Sequence, residues 1–219
     1  MKEPLKNKLN KTLFHGTLED RAIGIMFHGI DFSKLNDRAD FGKGLYLTDS
    51  YALAEKTAIT RCEGEKLAKG DACKPVILRV KVSNENFEKL NIKEFYGETN
   101  AWKRFICANR WHDGVGEAHP EYDNNVDAKY DIVIGLTADG KMGGLEKLIR
   151  QDGYNLSDSV IKDITPFKTK YKKTFEGKEK EFPTKSYQIS IHSNALIESC
   201  IDYEGYDIIE LGKEDGDYE

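Results

Sequence analysis

The sequence predicts an α+β fold in which short strands and separate helices follow one another irregularly. Apolar runs of strand length and segments of helical periodicity both occur, without the regular strand–helix–strand spacing of a parallel α/β sheet. The chain has 219 residues, of which 39% are hydrophobic and 32% are charged. That size and composition suit one globular domain with a well-solvated surface.

The expected domain occupies 12–211, with a basic, loose segment at 1–11 before it and an acidic tail at 212–219 after it. The first residues carry basic side chains with no apolar stretch behind them, and no run of 18 apolar residues occurs in the chain. We therefore expect neither a secretory signal nor a membrane-spanning helix, and a cytoplasmic location. The net charge of −5 gives no general reason to expect nucleic-acid binding.

The four cysteines contain no C-x-x-C pair, and together with the histidines they match none of the usual zinc patterns. In a cytoplasm such cysteines are expected to be thiols. The sequence therefore predicts no structural metal.

The first third of the domain predicts two strands, each followed by a helix. Residues 12–15 form a short apolar strand that Gly16 breaks, and apolar side chains at helical spacing predict a helix over 18–27. A second apolar strand at 44–48 leads into a helix that Ser50 can cap.

The middle of the chain predicts two further strands and one further helix. The polar, glycine-containing segment 63–74 is expected to be a surface loop, so that the second helix ends before it. Alternating apolar residues at 75–83 predict a half-buried strand, and large apolar side chains at helical spacing predict a helix at 99–110. A long polar loop at 111–128 then precedes a fully apolar strand at 130–135.

The last part of the chain predicts mainly β-structure. In chain order the elements are a glycine-rich turn at 135–144, a short helix at 145–150, a hairpin at 167–182 that turns at 176–177, a strand at 186–191, a helix at 195–200 and a strand at 206–211. The hairpin lies in an insertion, 168–185, that carries seven lysines and three acidic residues, with aromatic residues between them. Such a segment can stack bases and bind phosphates, or can be ordinary solvated surface.

Two glycine-bordered strings carry the functional signal: LFHGT at 13–17 and DFGKGLYLT at 40–48. Taken singly, His15 could be a satisfied histidine at the end of a strand, and Tyr46 could be a half-buried packing residue. Tyr46 alternates with two leucines, so its ring is expected to point away from them. His15 and Tyr46 lie 31 positions apart in the sequence.

These strings resemble the first two motifs of the ADP-ribosyltransferase superfamily, in the branch that poly(ADP-ribose) polymerases share with diphtheria-type toxins. The resemblance implies two packed, mostly antiparallel sheets with flanking helices around an NAD cleft. It implies that His15 donates a hydrogen bond to a ribose hydroxyl, that Gly16 lets the backbone approach the carboxamide, and that Tyr46 packs on the nicotinamide. The other cofactor-binding residues that it implies in these two strings are Thr17, Phe41 and Gly44.

The third motif of the superfamily is usually a glutamate on a late strand, and the matching position here is Gln188. An amide can orient a ribose hydroxyl, but it cannot offset a developing positive charge. Branches with glutamine there generally transfer a single ADP-ribose. If the reaction requires a carboxylate, Asp139 and Asp131 are the other candidates. Gln188 could alternatively be a solvent-facing residue of an edge strand without a role in the site.

The chain is also similar to a bacterial family of uncharacterised ADP-ribosyltransferase-like domains. The shared features are a helix ending in Asn109-Arg110, the string YDIVIG at 130–135, Ala138-Asp139 and the late Gln188. This resemblance implies that Arg110 and Asp139 contact NAD or the acceptor. A buried pair of Arg110 with Asp139 that joins two elements is an equal alternative.

The resemblances imply a mono-ADP-ribosyltransferase that uses NAD as co-substrate, needs no metal and releases nicotinamide. The expected acceptor is an intracellular protein or nucleic acid, and the expected role is that of a bacterial or phage toxin or defence enzyme, which an antitoxin or immunity partner could neutralise. Alternatives are an inactive NAD- or partner-binding module and an NAD glycohydrolase. A phosphate loop at 135–142 is disfavoured, because Met142 replaces the hydroxyl of G-x-x-x-x-G-K-S/T and Asp139 would repel phosphates.

Overall fold

The computed structural model describes residues 3–69, 73–83, 89–110, 122–138, 142–151, 157–163, 171–175, 178–182, 186–193 and 200–209. Within these ranges the protein has a mixed α/β architecture built on a seven-stranded, mostly antiparallel sheet. This confirms the predicted α+β class. Several predicted features lie wholly or partly outside the described residues: Asp139, the first part of the loop at 111–128, the turn at 176–177, the helix at 195–200 apart from Cys200, and the tail 212–219.

The helices are α1 Glu19–His28, α2 Tyr51–Lys69, α3 Asn100–Arg110, α4 Met142–Gln151 and α5 Asp158–Asp163, with short 3-10 helices at Leu5–Asn10 and Phe32–Lys34. The strands are β1 Leu13–Leu18, β2 Leu45–Thr48, β3 Pro75–Val82, β4 Ile92–Glu94, β5 Ile132–Leu136, β6 Tyr171–Phe175, β7 Lys178–Phe182, β8 Tyr187–Ile191 and β9 Ile201–Ile208.

The sheet order is β4-β5-β8-β2-β1-β3-β9, and β6 and β7 pair separately as a hairpin. Only the β4–β5 pair among these strands is parallel. The seven described strands of the large sheet are hydrogen-bonded into one sheet, whereas two packed sheets were expected. Its two halves nevertheless join weakly, because β1 and β2 share the single register pair Phe14–Thr48.

Several predicted boundaries are wrong, each because tertiary contacts outweigh a local signal. The segment 1–11 was expected to be loose, but the helix Leu5–Asn10 buries Leu5 and Leu9 in the core. Strand β1 runs through Gly16, since β3 pairs with it along its whole length. Helix α2 continues to Lys69, seven residues into the predicted loop at 63–74.

Two strands were also placed incompletely by the sequence. Strand β4 was missed because it has three residues and one apolar side chain, and its parallel pairing with β5 holds it in the sheet. Strand β9 begins at Ile201 rather than at 206, because its polar first half is held by pairing with β3 along the edge of the sheet. The hairpin of β6 and β7 is confirmed.

The core lies on both faces of the sheet. One face carries an aliphatic cluster that includes Leu13, Leu45 and Leu47. The other carries an aromatic-rich cluster around Phe41 and α3, against which Tyr46 packs. Tyr46 therefore points away from the flanking leucines, as the alternation predicted.

Helix α3 confirms its prediction and positions the end of the candidate site. Trp102, Phe105 and Ile106 are buried on its inner side. The hydroxyl of Thr99 accepts a hydrogen bond from the Trp102 N–H at 3.1 Å and thereby caps the first turn. Arg110 is the last residue of this helix.

None of the four cysteines forms a disulfide, which confirms the prediction of thiols. Among the described residues, no helix has both the length and the apolar character needed to cross a lipid bilayer.

Candidate functional site

The candidate site begins where the sheet opens between β1 and β2. After the pair Phe14–Thr48 these two strands form no further register pair. In a continuous antiparallel ladder His15 and Tyr46 would point to opposite faces, because the register would pair His15 with Leu47. The strands part instead, and the His15 imidazole spans the gap, with its Nδ1 2.7 Å from the Tyr46 carbonyl oxygen. A side chain thus satisfies a carbonyl that the ladder leaves unpaired.

A cavity of about 1140 Å³ lies at this opening. Its wall draws on β1, α1, the segment 29–40, β2, α2, the end of α3 and β8. Six predicted site residues line it together: His15, Thr17, Gly44, Tyr46, Arg110 and Gln188. The cavity therefore brings together side chains that are widely separated in the sequence.

His15 is held neutral in one orientation. Burial, followed by the positive charge of Arg61, lowers the pKa of His15 to about 3. A neutral imidazole that faces the Tyr46 carbonyl must donate from Nδ1, so Nε2 carries a lone pair. Nε2 lies 3.3 Å from Nη1 of Arg61, which also donates to the Gly16 carbonyl at 2.8 Å.

A second buried histidine supports the loop before β2. Nδ1 of His192 donates to the Lys43 carbonyl at 2.9 Å, and the Ser190 hydroxyl donates to Nε2 at 2.5 Å. Ser190 is the cross-strand partner of Tyr46. Burial lowers the pKa of His192 to about 4. Sequence analysis missed this histidine, because an isolated histidine after a strand gives no signal of its partners.

These two histidines predict a loss of stability in mild acid. Each has a folded-state pKa below its unfolded value, so the unfolded chain binds more protons and stability falls as the pH drops through about 6.5 towards 4. Between pH 7 and pH 5 each should cost about 2 kcal/mol of unfolding free energy. Urea unfolding at the two pH values measures this loss.

The control for this prediction is a replacement of an exposed histidine. His15→Gln and His192→Gln should each flatten the pH dependence, whereas His28→Gln, at the exposed end of α1, should leave it as in the wild type. An equal pH dependence in all four proteins would contradict the assigned neutral states.

Tyr46 is among the residues that line the cavity, and its hydroxyl is hydrogen-bonded to the loop before it. The hydroxyl donates to the Gly42 carbonyl at 2.7 Å and accepts from the Phe41 N–H at 2.8 Å. Burial raises the pKa of Tyr46, so the phenol stays protonated. The ring stacks on Phe41 with 6.4 Å between centroids.

The Asp40 carboxylate accepts hydrogen bonds from both Arg110 and Gln188. Its Oδ1 accepts from Nε and Nη2 of Arg110 at 2.8 and 2.5 Å, and its Oδ2 accepts from Nε2 of Gln188 at 3.0 Å. The Asp40 side chain is 15% exposed and lines the cavity. Arg110 therefore pairs with Asp40, whereas the sequence analysis had considered a pair with Asp139, which lies outside the described residues.

Asp40 was missed as a site residue although it opens the second motif. Its partners are 70 and 148 positions away, and no spacing rule connects residues at such separations. Asp131, one of the reserve carboxylates, accepts from the Asn91 N–H at 2.9 Å and is not among the residues that line the cavity.

Gly16 is required by the packing of α2. A Cβ at this position would lie 1.8 Å from the Ala54 carbonyl oxygen and 2.9 Å from the Ala58 nitrogen. The backbone of α2 fills the space on this side of the residue. Binding of a ligand by the Gly16 backbone itself stays a prediction.

Phe41 and Gly44 also have packing roles. Phe41 is fully buried and is not among the residues that line the cavity, so it supports the Tyr46 ring from below. A Cβ on Gly44 would lie 2.7 Å from the Ile191 carbonyl oxygen and 2.9 Å from Nδ1 of His192. The glycine lets the loop approach β8 closely.

The described residues contain no group of three or more histidine, cysteine or acidic side chains arranged to hold a metal ion. The polar groups that the described residues place at the cavity are instead two imidazoles, two amides, three carboxylates, one ammonium group and four guanidinium groups, together with the Thr17 hydroxyl. This set suits an organic ligand that carries hydroxyl and anionic groups.

The fold and the cavity define a mixed α/β domain with a ligand-sized cavity at an opening in its sheet. A family model described as "Protein of unknown function (DUF3990)" matches residues 12–203, and the chain belongs to this family. No curated protein and no solved structure matches the chain.

Proposed function

We propose that the chain is an NAD-dependent mono-ADP-ribosyltransferase with its active site in the cavity between β1 and β2. The observation that carries this proposal is the convergence of His15, Tyr46 and Gln188 on one cavity. These are the three positions at which the sequence resembles the superfamily motifs. The proposal includes an ADP-ribosyltransferase fold, in which the weak β1–β2 junction corresponds to the division between two sheets.

The size and chemistry of the cavity support a dinucleotide ligand. Its volume of about 1140 Å³ slightly exceeds the usual range for sites that hold drug-sized molecules. The Tyr46 ring supplies an aromatic wall for the nicotinamide, and Thr17 and Gln188 supply hydrogen-bonding groups. A ribose hydroxyl would donate to the lone pair of His15 Nε2 in place of Arg61 Nη1, which lies 3.3 Å from that atom. This reverses the direction of the bond implied by the resemblance.

NAD supplies a ribosyl group whose bond to nicotinamide breaks while an acceptor atom bonds to the same carbon and gives up a proton. The protein must hold the dinucleotide, exclude water and stabilise positive charge on the sugar. Gln188 cannot supply that negative charge, but its amide bonds to the Asp40 carboxylate at 3.0 Å. We assign the charge-stabilising role to Asp40 and the orientation of the ribose to Gln188.

The acceptor in this proposal is an intracellular protein or nucleic acid, and the role is that of a toxin or defence enzyme, as the resemblance to diphtheria-type toxins implies. A second candidate is an NAD-binding module without activity. The pairing of Asp40 with Arg110 favours it, because the guanidinium neutralises part of the charge that catalysis would need.

NAD should raise the melting temperature of the protein by about 5–10 °C at a hundredfold excess over its dissociation constant. ATP, which lacks nicotinamide, should have a smaller effect. Tyr46→Ala should weaken NAD binding about tenfold or more by removing the aromatic wall. Tyr96→Ala, which changes an exposed tyrosine outside the cavity lining, is the matched control.

Nicotinamide release separates the two candidates. Turnover by the wild type in the presence of acceptor supports the transferase, and a temperature shift without turnover supports the binding module. No shift with NAD, or a larger shift with ATP, would contradict both.

A further inference from the structure

Arg61 on α2 brings an unneutralised positive charge to the cavity. Its Nη1 donates to the Gly16 carbonyl at 2.8 Å and lies 3.3 Å from Nε2 of His15, and neither partner is charged. Among the described residues, no carboxylate forms an ion pair with this guanidinium. Arg61 is half-buried. Partial removal of a cation from water without a counterion costs free energy, so such a group is expected where it can bind an anionic ligand.

A second guanidinium lies close to the first. Arg21 on α1 lines the same cavity, and its positive charge, after burial itself, lowers the pKa of Arg61 to about 10. Arg61 therefore stays protonated at neutral pH. Arg21 is paired with Glu65 at 2.5 Å, and Asp20 also lines the cavity.

We propose that Arg61, with Arg21 beside it, forms an anion subsite that binds the diphosphate of a dinucleotide. This inference rests on the proposed function. It names residues that bind the diphosphate, a part of NAD for which the resemblance implied none. The planar fork of a guanidinium suits two phosphate oxygens at once. The position is consistent with the rest of the site, since Arg61 contacts the imidazole that faces the proposed ribose.

The test measures calorimetric binding of three metal-free probes: ADP-ribose, inorganic pyrophosphate and nicotinamide riboside, which has no phosphate. In Arg61→Met the affinity for ADP-ribose and pyrophosphate should fall about tenfold to hundredfold, as expected for lost charge-assisted hydrogen bonds. The affinity for nicotinamide riboside should change little. Arg79→Met is the matched control, because Arg79 pairs with Asp207 and is not in the cavity lining.

Arg61→Lys distinguishes the loss of a phosphate-binding group from a general disturbance of the fold. Lysine keeps the positive charge but lacks the two parallel donors of the guanidinium, so this variant should bind ADP-ribose with intermediate affinity. Its affinity should fall more steeply with increasing salt concentration than that of Arg61→Met, which has no charge at this position. Folding of each variant is checked by circular dichroism. If Arg61→Met does not fold, the lysine variant and its salt dependence decide the question.

Three results would overturn the subsite. These are wild-type affinity for ADP-ribose in a folded Arg61→Met, equal weakening by Arg79→Met, and no binding of either phosphate probe to the wild type. Arg61-dependent binding of ADP-ribose without nicotinamide release from NAD would support the subsite while contradicting the proposed transferase. The two proposals can thus fail separately.

Discussion

Alanine at position 16 should destabilise the protein by more than about 3 kcal/mol, at or above the upper end of the usual cost of overpacking a core. The added Cβ would lie 1.8 Å from the carbonyl oxygen of Ala54 and 2.9 Å from the nitrogen of Ala58. Both atoms belong to the backbone of α2, so no side-chain rotation can relieve the clash. The helix would have to move away from β1. Urea unfolding of Gly16→Ala measures the loss.

Gly64→Ala is the control for this substitution because it makes the same change in α2 where there is space. No atom lies within 4 Å of the position its Cβ would take. Alanine in an exposed helical position should stabilise the protein by roughly 0.5–1 kcal/mol. If Gly16→Ala were as stable as the wild type, α2 would not cross β1 as described. Arg61 would then lose its placement beside His15.

Asp40→Asn should lower nicotinamide release at least about a hundredfold, with a larger effect on kcat than on KM. The substitution keeps the shape of the side chain and removes its charge, which is worth several kcal/mol at a developing cation in a dry site. The side-chain oxygen of asparagine can still accept a hydrogen bond from Arg110. If the Gln188 amide turns over, its oxygen can accept a hydrogen bond from the asparagine NH₂ group. The network should therefore survive while the charge is lost. Steady-state kinetics measure the effect.

Asp131→Asn is the matched control for the loss of a carboxylate. Asp131 binds the Asn91 backbone and is not part of the cavity lining. Its variant should retain activity within about twofold, as expected for a change away from the reacting groups. Full activity of Asp40→Asn would show that Asp40 only bridges Arg110 and Gln188.

Local patterns predicted the elements that carry the site. Alternation around Tyr46 gave the direction of its ring, and helical spacing at 99–110 gave the helix that ends at Arg110. The apolar run at 186–191 gave the strand of Gln188. Each of these signals lies within one element, where side-chain periodicity reports directly on burial.

The features that the sequence did not predict depend on contacts between distant segments. The opening between β1 and β2 is set by the register of two strands, and the carboxylate of Asp40 meets Gln188 across 148 positions. Arg61 was left without a role because its meeting with His15 depends on how α2 crosses β1. The packing requirement at Gly16 was not predicted either, because it depends on the close passage of α2.

The proposed function requires that the nicotinamide-ribose end of NAD bind at His15, in the opening between β1 and β2. The most direct test is a titration of ring-labelled histidine followed by NMR, with the His15 signals assigned from their loss in His15→Gln. We expect a saturable shift of the Nε2 resonance of His15, with the dissociation constant found by calorimetry. NAD binding that leaves the His15 ring signals unchanged would contradict it.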